Sequence, residues 1–404
     1  MAKRFAASVA FAAVLALSAC APAPIISPPA PNMGSTTPSA RGRASAGANT
    51  SDPSATPEAP RECLAEAQAL SAQEQVGQLL MVGVSTSDLD TATIDVLRST
   101  KAGSVVLLGS SKVTRSDAAA LAARVGALGA ADIPMLVAAD QEGGQVQRLQ
   151  GQGFTRIPDA VAQGQMNETA FHAQSETWAA ELARAGVRFN LAPVADVVPD
   201  DLAASNEPIG QLTRQYGSDP EKVADSVVTF VQSMQSADVA TSLKHFPGLG
   251  KVRHNTDNDE ATDQSTVVDD PSWKPFIDGI QAGASSVMIS SATFEQIDPD
   301  HKAVFSRKII TDILRGSLGF DGVVISDDLG AAGAVADVPA GERAVRFLDA
   351  GGDLIINADA NIAQDMAAAI VAKMDDDPEF AEAVAQSAAR VLALKESIST
   401  MECG

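Results

Sequence analysis

One stretch of the chain, residues 241–259 (TSLKHFPGLGKVRHNTDND), carries a high density of groups that could do chemistry. Lys244 and His245 end a strand-like apolar run, and a proline and two glycines then stop regular structure. Glycines at this point let a ligand approach the backbone closely. We therefore interpret Lys244 and His245 as binding or catalytic groups, although residues 255–260 taken alone resemble a solvated surface loop.

Carboxylates follow two other apolar runs. Asp140 and Glu142 lie in the segment 140–148 (DQEGGQVQR), for which a tight turn with charged flanks is the alternative. Asp327 directly ends another run, and its neighbour Asp328 could be only a helix N-terminal residue. Carboxylates together with a lysine, a histidine and an arginine suggest glycoside hydrolysis or another acid–base reaction on a polar metabolite.

Composition excludes several other classes of function. The four histidines are scattered and too few for a metal hydrolase, so we expect no metal and no cofactor. The formal net charge of −22 is spread without long acidic blocks and argues against nucleic acid as a partner. Aromatic residues make up only 4% of the chain, which favours a small polar pocket over a long aromatic-lined groove.

The order of elements predicts a barrel. From residue 62 to 404, apolar runs alternate with helical patterns, which indicates a parallel sheet with helical crossovers. Eight runs are predicted, the number of a single-domain α/β fold of the TIM (β/α)8 type. They are residues 78–84, 104–108, 134–139, 188–192, 239–243, 286–290, 322–326 and 353–357. A doubly wound open sheet is the alternative, but no Gly-x-Gly-x-x-Gly follows the first run.

Local signals mark where helices begin. Ser71 and Glu74 fit a capping box before the first strand, and Asp219 and Pro220 precede a helix over 221–235. Further helices are predicted at 117–128, 168–185, 272–282, 306–318, 341–350, 362–374 and 380–397.

The beginning of the chain is predicted to be an export signal. Residues 1–19 have two basic residues and an apolar run too short to span a membrane, as in a signal peptide. The run ends in Leu-Ser-Ala-Cys, which resembles a bacterial lipobox and would make Cys20 the lipidated first residue of the mature protein. Ordinary cleavage nearby would instead leave a secreted protein. Both alternatives predict an extracytoplasmic location, the first with a lipid anchor in the bacterial cell membrane.

Residues 20–61 are rich in proline, alanine and serine and are predicted to be a disordered tether. If Cys20 carries lipid, Cys63 and Cys403 remain of the three cysteines. In an oxidising compartment these two could form a disulfide between the ends of the domain, stabilising it by about 4 to 5 kcal/mol in the chain-entropy view. Two free thiols are the alternative.

Three segments together resemble glycoside hydrolase family 3. They are residues 140–148 (DQEGGQVQR), 244–250 (KHFPGLG) and 321–329 (DGVVISDDL), in this order on an eight-stranded pattern. The sequence is most similar to the single-domain, NagZ-type β-N-acetylhexosaminidase branch, and the likeness covers nearly everything from residue 70 to 394.

This resemblance implies roles for individual residues. Asp327 would be the nucleophile that forms a covalent glycosyl-enzyme intermediate. The sugar-binding groups of the family fall on Asp140, Arg148, Lys244 and His245. Arg214 matches a further sugar-binding arginine if two extra residues are allowed after Gly210.

One departure concerns the general acid/base. Members of the branch carry a histidine at the sixth position of the Lys-His motif and then Asp-x-His on the loop. This chain has Leu249 at the first place, and Asn255 and Asp257 at the positions of the Asp and the catalytic His. Asp257 is therefore the candidate acid/base, and His254 on the same loop is the alternative.

The combined hypothesis is an exo-acting, retaining β-N-acetylglucosaminidase that needs no cofactor. It would remove terminal N-acetylglucosamine from peptidoglycan fragments such as muropeptides, or from other N-acetylglucosamine-containing glycans, outside the membrane. Two alternatives remain: a catalytically weak or inactive glycan-binding lipoprotein on the same barrel, for which the altered loop is the supporting feature, and a β-glucosidase.

Overall fold

The computed structural model describes residues 61–130 and 132–403. The predicted signal peptide at 1–19, the lipidation site Cys20 and the tether up to residue 60 lie outside the described residues. Arg61, the last residue of the predicted tether, instead begins the first helix, α1 (Arg61–Ala69). Within the described part of the chain, no helix is both long and apolar enough to cross a membrane.

An eight-stranded parallel sheet forms the centre of the described residues. Its strands are β1 (Leu80–Ser85), β2 (Ser104–Leu108), β3 (Leu136–Ala139), β4 (Phe189–Asn190), β5 (Ala240–Phe246), β6 (Ser286–Ile289), β7 (Val323–Ser326) and β8 (Ile355–Asn357). Strand β1 forms parallel hydrogen bonds with strand β8. A bridge between Ile325 and Leu354 connects β7 to the residue before β8. The predicted TIM-type barrel is thus confirmed, and each of the eight predicted runs overlaps one strand, with β1 ending one residue and β5 three residues later than predicted.

Side chains alternate between two apolar layers, as a barrel strand requires. Met81 and Val106 belong to the cluster inside the barrel, whereas their neighbours Val82 and Val105 belong to the larger cluster between strands and helices. Val391 and Leu394 of the last helix also belong to the inner cluster, so this helix covers one end of the barrel.

Helices surround the sheet at nearly the predicted positions. They are α2 (Ala72–Gln78), α3 (Thr91–Thr100), α4 (Arg115–Gly126), α5 (Ala160–Gln163), α6 (Glu168–Arg184), α7 (Pro220–Gln235), α8 (Lys274–Gln281), α9 (Ala340–Asp349), α10 (Ala363–Asp376) and α11 (Pro378–Ser397), with a π-helix at Lys308–Ser317. The Ser71–Glu74 capping box and the Asp219 cap are both present. The capping box starts α2, which extends to Gln78, so the first strand begins later than predicted.

Helix α3 was missed because its sequence, TATIDVLRST, is rich in β-branched residues with low helix propensity. Asp90 caps its first turn, and the buried Leu97 packs in the outer apolar layer. Tertiary packing and the cap therefore decide this segment against its local preference.

Two short sheets lie on the loops that follow the strands. Residues 141–143 and 146–147 form a hairpin directly after β3. Residues 262–263, 293–294 and 298–302 form a three-stranded sheet that connects the loops after β5 and β6. These additions give the loops hydrogen-bonded backbones, which limits their freedom to move.

The predicted disulfide joins Cys63 in α1 to Cys403 near the end of the chain, with their Cα atoms 5.1 Å apart. The bond closes a loop with a sequence separation of 340 residues. It fastens α1 to the segment after α11, so the two ends of the barrel domain cannot separate without reduction.

Helix α11 is fixed to the barrel by a buried lysine. Lys395 is fully buried, and its Nζ donates to Gln78 Oε1 at 2.7 Å and to Gly103 O at 2.9 Å, directly before β1 and β2. Because both acceptors are neutral, burial lowers the pKa of Lys395 from 10.5 to about 7.

We predict that Lys395 makes the free energy of unfolding depend on pH. Between pH 7 and 10 the unfolded chain binds a proton on this lysine that the folded chain does not, so stability rises with pH in this window. Lys395→Met removes this contribution. The free energy of unfolding of wild type relative to Lys395→Met, measured by urea unfolding, should increase by up to about 1.4 kcal/mol per pH unit. A difference that is constant with pH would contradict the assignment.

Candidate active site

A polar cavity of about 220 Å³ opens at the carboxyl ends of the barrel strands. Its inner wall is apolar and comes from strand residues such as Val106, Met288 and Ile356, which close it toward the barrel interior. Its polar lining includes Asp140, Arg148, Arg214, Lys244, His245, Asp257, Asp327 and Asp328. All sugar-binding residues predicted from the resemblance are thereby brought together with Asp327 and Asp257.

Lys244 is the centre of an ion-pair network at one side of this cavity. It extends from β5, is 2% exposed, and its Nζ lies 2.7 Å from Asp140 Oδ1 and 2.6 Å from Glu142 Oε1. Arg214 binds Glu142 with two hydrogen bonds, Nε to Oε2 at 2.9 Å and Nη2 to Oε1 at 2.8 Å. Arg148 Nη2 contacts Asp140 Oδ2 at 3.2 Å.

The network keeps its members charged. Burial alone would raise the pKa values of Asp140 and Glu142, but Lys244, Arg148 and Arg214 outweigh it and hold both pKa values well below their usual range. Burial likewise acts to lower the pKa of Lys244, and the two carboxylates reverse this and raise it. Cations and anions with fixed positions can therefore bind the hydroxyl groups of a polar ligand without changing protonation state.

Arg148 lines the cavity and has one unsatisfied donor. Its Nε is buried and has no hydrogen-bond partner among the described residues. A buried donor without a partner is costly to the folded state.

His245 is oriented by a fully buried aspartate. Its Nδ1 lies 2.8 Å from Asp196 Oδ2, while Asp196 Oδ1 accepts from the backbone N–H groups of His245 at 3.1 Å and Leu249 at 2.7 Å. The other ring nitrogen, Nε2, lies 3.5 Å from Arg214 Nη2. Asp196 thus fixes the ring and the first turn of the loop after β5 at once.

Asp327 lies partly buried at the end of β7. Its Oδ1 accepts from Asp328 N at 2.9 Å, and its own N–H donates to Ile289 O at the end of β6. Burial raises the pKa of the Asp327 carboxyl to about 6; the charge of Asp257 adds to this rise, and the charge of His245 opposes it.

Asp328 has a structural role, in line with the alternative that its position allowed. Its Oδ1 accepts from Gly330 N at 2.8 Å and Ala358 N at 2.9 Å, and its Oδ2 accepts from Ala331 N at 3.0 Å. The side chain therefore joins the loop after β7 to the end of β8, beside the cavity.

The loop that carries Asp257 is attached to the loop after β7. Gly333 N donates to Asp257 O at 2.9 Å and Ala334 N to Thr256 O at 3.1 Å. A Cβ atom at Gly333 would lie 2.3 Å from Asn258 O, so this close approach needs glycine. Within the loop, Asn255 Oδ1 accepts from Asp257 N at 3.1 Å. Asp257 is thus held at the cavity with its carboxyl exposed to an incoming ligand.

His254, the alternative acid/base, lies elsewhere. Its side chain is 63% exposed, its Nδ1 lies 3.8 Å from Glu207 Oε2, and it is not among the residues that line the cavity. The geometry therefore favours Asp257 for a role in the cavity.

Two important residues had no role assigned from the sequence, Glu142 and Asp196. Glu142 lies in the short strand 141–143, and Asp140 directly precedes that strand. Alternate residues of extended chain face the same side, so the two-residue spacing could have indicated that both carboxylates point the same way. Asp196 follows a cis Ala192–Pro193 peptide bond after β4, and no sequence pattern predicts that its side chain reaches the loop after β5.

The described residues bring one group of possible metal ligands within reach of a single ion: Cys63, Glu396 and Cys403. Both sulfur atoms of that group are joined in the disulfide, which leaves them unsuited to bind a metal.

Comparisons with known proteins agree with this geometry. The family profile described as "Glycosyl hydrolase family 3 N terminal domain" matches residues 71–394. A β-hexosaminidase of Xanthomonas oryzae pv. oryzae is 35% identical over 287 residues, covering 69% of this chain and 83% of that protein.

Two solved structures are also similar. The β-N-acetylhexosaminidase from Beutenbergia cavernae is 45% identical with a TM-score of 0.79, covering 81% of this chain and 99% of that one. A family 3 β-N-acetylglucosaminidase from Paenibacillus is 27% identical with a TM-score of 0.74, covering 82% of this chain and 63% of that one. The family match spans most of the barrel and contains all three motif segments. The chain therefore belongs to glycoside hydrolase family 3.

Proposed function

We propose that the protein is an exo-acting, retaining β-N-acetylglucosaminidase. The observation that carries the proposal is that Asp327 and Asp257 line the same cavity as the Lys244 network and interact electrostatically with each other. The relatives named as β-hexosaminidase and β-N-acetylhexosaminidase support the same activity.

Binding of the terminal sugar uses the charged network. Asp140 accepts hydrogen bonds from sugar hydroxyls, and Arg148, Arg214, Lys244 and His245 donate to them. Because these groups are already ordered by their ion pairs, little conformational entropy is lost on binding. The apolar inner wall closes the cavity toward the barrel interior, which favours removal of one terminal residue over cleavage within a chain.

The first chemical step forms the glycosyl-enzyme. A carboxylate oxygen of Asp327 attacks the anomeric carbon, and the bond from that carbon to the leaving oxygen breaks. Protonated Asp257 transfers its proton to the leaving oxygen. In the second step Asp257, now a carboxylate, takes a proton from water, whose oxygen attacks the anomeric carbon and releases Asp327. Configuration is retained because the anomeric carbon is inverted twice.

The environment of Asp327 sets the pH at which it can act. Asp327 must be ionised to attack, and burial raises its pKa to about 6, a rise to which the charge of Asp257 adds. The nucleophile is therefore ionised above about pH 6. The positive charge of His245 favours placing the negative charge on Asp327.

The location and source of the glycan form a further part of the proposal. The Leu-Ser-Ala-Cys20 sequence and the Cys63–Cys403 disulfide support a lipid-anchored protein in an oxidising compartment outside the cytoplasm. The N-acetylglucosamine-containing glycan available there is the cell wall, so peptidoglycan fragments such as muropeptides are the proposed substrates.

Substitution of the two carboxyl groups tests the mechanism. Asp327→Ala should lower kcat/KM by roughly 10⁴-fold or more on every substrate. Asp257→Ala should lower kcat/KM for an N-acetylglucosamine-containing disaccharide by about 10² to 10⁴-fold, and much less for nitrophenyl β-N-acetylglucosaminide, whose leaving group needs little protonation. Nitrophenol release and disaccharide hydrolysis are the measurements.

His254→Ala is the matched control on the same loop and should leave both rates near wild type. Loss of disaccharide activity in His254→Ala but not in Asp257→Ala would reverse the assignment of the acid. Faster turnover of nitrophenyl β-glucoside than of the N-acetylglucosaminide would favour the glucosidase alternative. A folded protein that binds N-acetylglucosamine without turnover would favour the binding lipoprotein.

The pH dependence tests the environment of Asp327. For nitrophenyl β-N-acetylglucosaminide, kcat/KM should rise with pH and level off above about 6, because Asp327 must lose its proton to act. In Asp257→Ala the acidic limb should move to lower pH, since removal of a neighbouring negative charge makes Asp327 easier to ionise. An acidic limb at the same pH in both proteins would show that the two carboxyl groups do not interact.

Lipid attachment is tested at Cys20. Expressed from its full gene in a bacterial host, the wild-type chain should be found in the membrane fraction and should incorporate a labelled fatty acid. Cys20→Ala should abolish labelling. An unlabelled wild-type protein released from the cell would instead support ordinary signal cleavage.

A further inference from the structure

Asn206 is a fully buried asparagine between the loop after β4 and the loop after β5. Its Nδ2 donates to Leu249 O at 2.7 Å and to Val252 O at 2.8 Å. Its Oδ1 accepts from Ile209 N at 3.1 Å and from Gly210 N at 2.7 Å. All the hydrogen-bonding capacity of the side-chain amide is therefore used. The orientation of the amide is fixed, because Nδ2 faces two carbonyl groups and Oδ1 faces two N–H groups.

The nitrogen side of this amide leads to Asp257. Leu249 and Val252, whose carbonyls it binds, begin the loop on which Asn255 and Asp257 follow. The neighbouring Glu207 extends the attachment, since its N–H donates to Arg253 O at 3.0 Å and its Oε2 accepts from Asn255 N at 3.1 Å. The first part of the loop after β5 is therefore hydrogen-bonded at several successive residues to two neighbouring residues, Asn206 and Glu207.

The oxygen side of the amide leads to Arg214. Ile209, whose N–H it accepts, in turn accepts from Arg214 N at its carbonyl, at 3.1 Å. Arg214 Nη1 donates to Pro208 O at 2.8 Å, so both the backbone and the guanidinium of this arginine rest on the turn that Asn206 holds.

We propose that Asn206 is a positioning residue. It sets the distance between the acid-bearing loop, residues 249–257, and the turn at residues 208–214 that holds Arg214. This inference rests on the proposed function, in which Arg214 binds the terminal sugar and Asp257 protonates its leaving oxygen. Loops that carry functional groups move unless their backbones are held, and a fully satisfied buried amide holds two loops at one fixed spacing. Asn206 acts only through these two loops and does not line the cavity.

Asn206→Asp separates the two halves of this link because it exchanges one NH2 group for an oxygen. The acceptor toward Ile209 N and Gly210 N is kept. The carboxyl group can donate at most one hydrogen bond, and only when protonated, so Leu249 O and Val252 O cannot both be satisfied. The loop that carries Asp257 thereby loses one of its attachments and can shift, although its bonds to Asp196, Glu207 and the loop after β7 remain.

The expected result is a loss that depends on the leaving group. A displacement of the acid by about 1 Å costs on the order of 10²-fold, so kcat/KM for the disaccharide should fall by about this factor. For nitrophenyl β-N-acetylglucosaminide, kcat/KM should stay within about threefold of wild type. The inhibition constant of free N-acetylglucosamine should not change, because the turn that holds Arg214 keeps its hydrogen bonds.

Azide provides an independent test of the second chemical step, in which the glycosyl-enzyme is hydrolysed. If Asp257 is displaced, the glycosyl-enzyme lacks its base, and azide, an anion that needs no base, should accelerate nitrophenol release by Asn206→Asp. The bond formed is between azide nitrogen and the anomeric carbon, and Asp327 is released as a carboxylate. Wild-type protein should not respond.

The matched control is Asn190→Asp. Asn190 is also fully buried, and its amide bonds to the backbone of Gln141, which lies between Asp140 and Glu142 and in neither of the two loops that Asn206 joins. Asn190→Asp can therefore weaken sugar binding or the fold but does not reach Asp257, so it should lower both kcat/KM values in the same proportion. If Asn206→Asp does not fold, Glu207→Ala, which removes the half-exposed acceptor of Asn255 N, should shift the ratio of the two values in the same direction.

The inference fails if folded Asn206→Asp, or Glu207→Ala in its place, lowers both kcat/KM values equally. It also fails if the inhibition constant of N-acetylglucosamine rises while the ratio of kcat/KM for the disaccharide to kcat/KM for the nitrophenyl substrate stays unchanged. Failure of the proposed function would be recognised separately. In that case the loss of kcat/KM in Asp257→Ala would be the same for the disaccharide and for the nitrophenyl substrate.

Discussion

The buried ion-pair network around Lys244 is the constraint on which the site depends. Its ammonium group is almost inaccessible and lies between Asp140 and Glu142, which come from a different loop. A buried charge is tolerated only when it is paired, and removal of one partner of such a pair typically costs about 3 to 5 kcal/mol. The loop after β3 must therefore meet the end of β5 in this arrangement, and Arg214 brings the loop after β4 to the same place.

The cavity divides into a neutralised region and a region with excess negative charge. Around Lys244, cations and carboxylates alternate and keep one another ionised. Asp327 and Asp257 lie outside that network, where burial and mutual repulsion act on the pKa of Asp327 and His245 is the positive group that opposes them. This separation suits the proposed chemistry, because sugar binding needs groups of constant charge, whereas the activity of the nucleophile Asp327 is expected to depend on pH.

Stability and chemistry occupy opposite ends of the barrel. The disulfide, the buried Lys395 and the inward-facing residues of α11 all act where strands begin. The functional groups all lie where strands end. A barrel permits this division because its strands are parallel, so loops at one end can vary while helix packing at the other holds the fold.

The sequence by itself determined the barrel, the order of its strands and most candidate site residues. Apolar runs of strand length, separated by helical patterns, specify this fold because each buried parallel strand needs a near-continuous apolar sequence. Asp327 and Lys244 were visible because a charged residue at the end of such a run cannot belong to the core. Cys63 and Cys403 were predictable as a pair from export and from their positions at the two ends of the domain.

Only the tertiary structure decided the partners of these residues. Glu142 joins Lys244 to Arg214, Asp196 orients His245, and Asn206 connects two loops. These contacts span 43 to 102 positions of sequence. The same is true of the choice between Asp257 and His254, which stand three residues apart but face the cavity and the solvent respectively. Local sequence patterns report propensity and burial, whereas these contacts depend on how loops from different strands fold over one another, which no local pattern encodes.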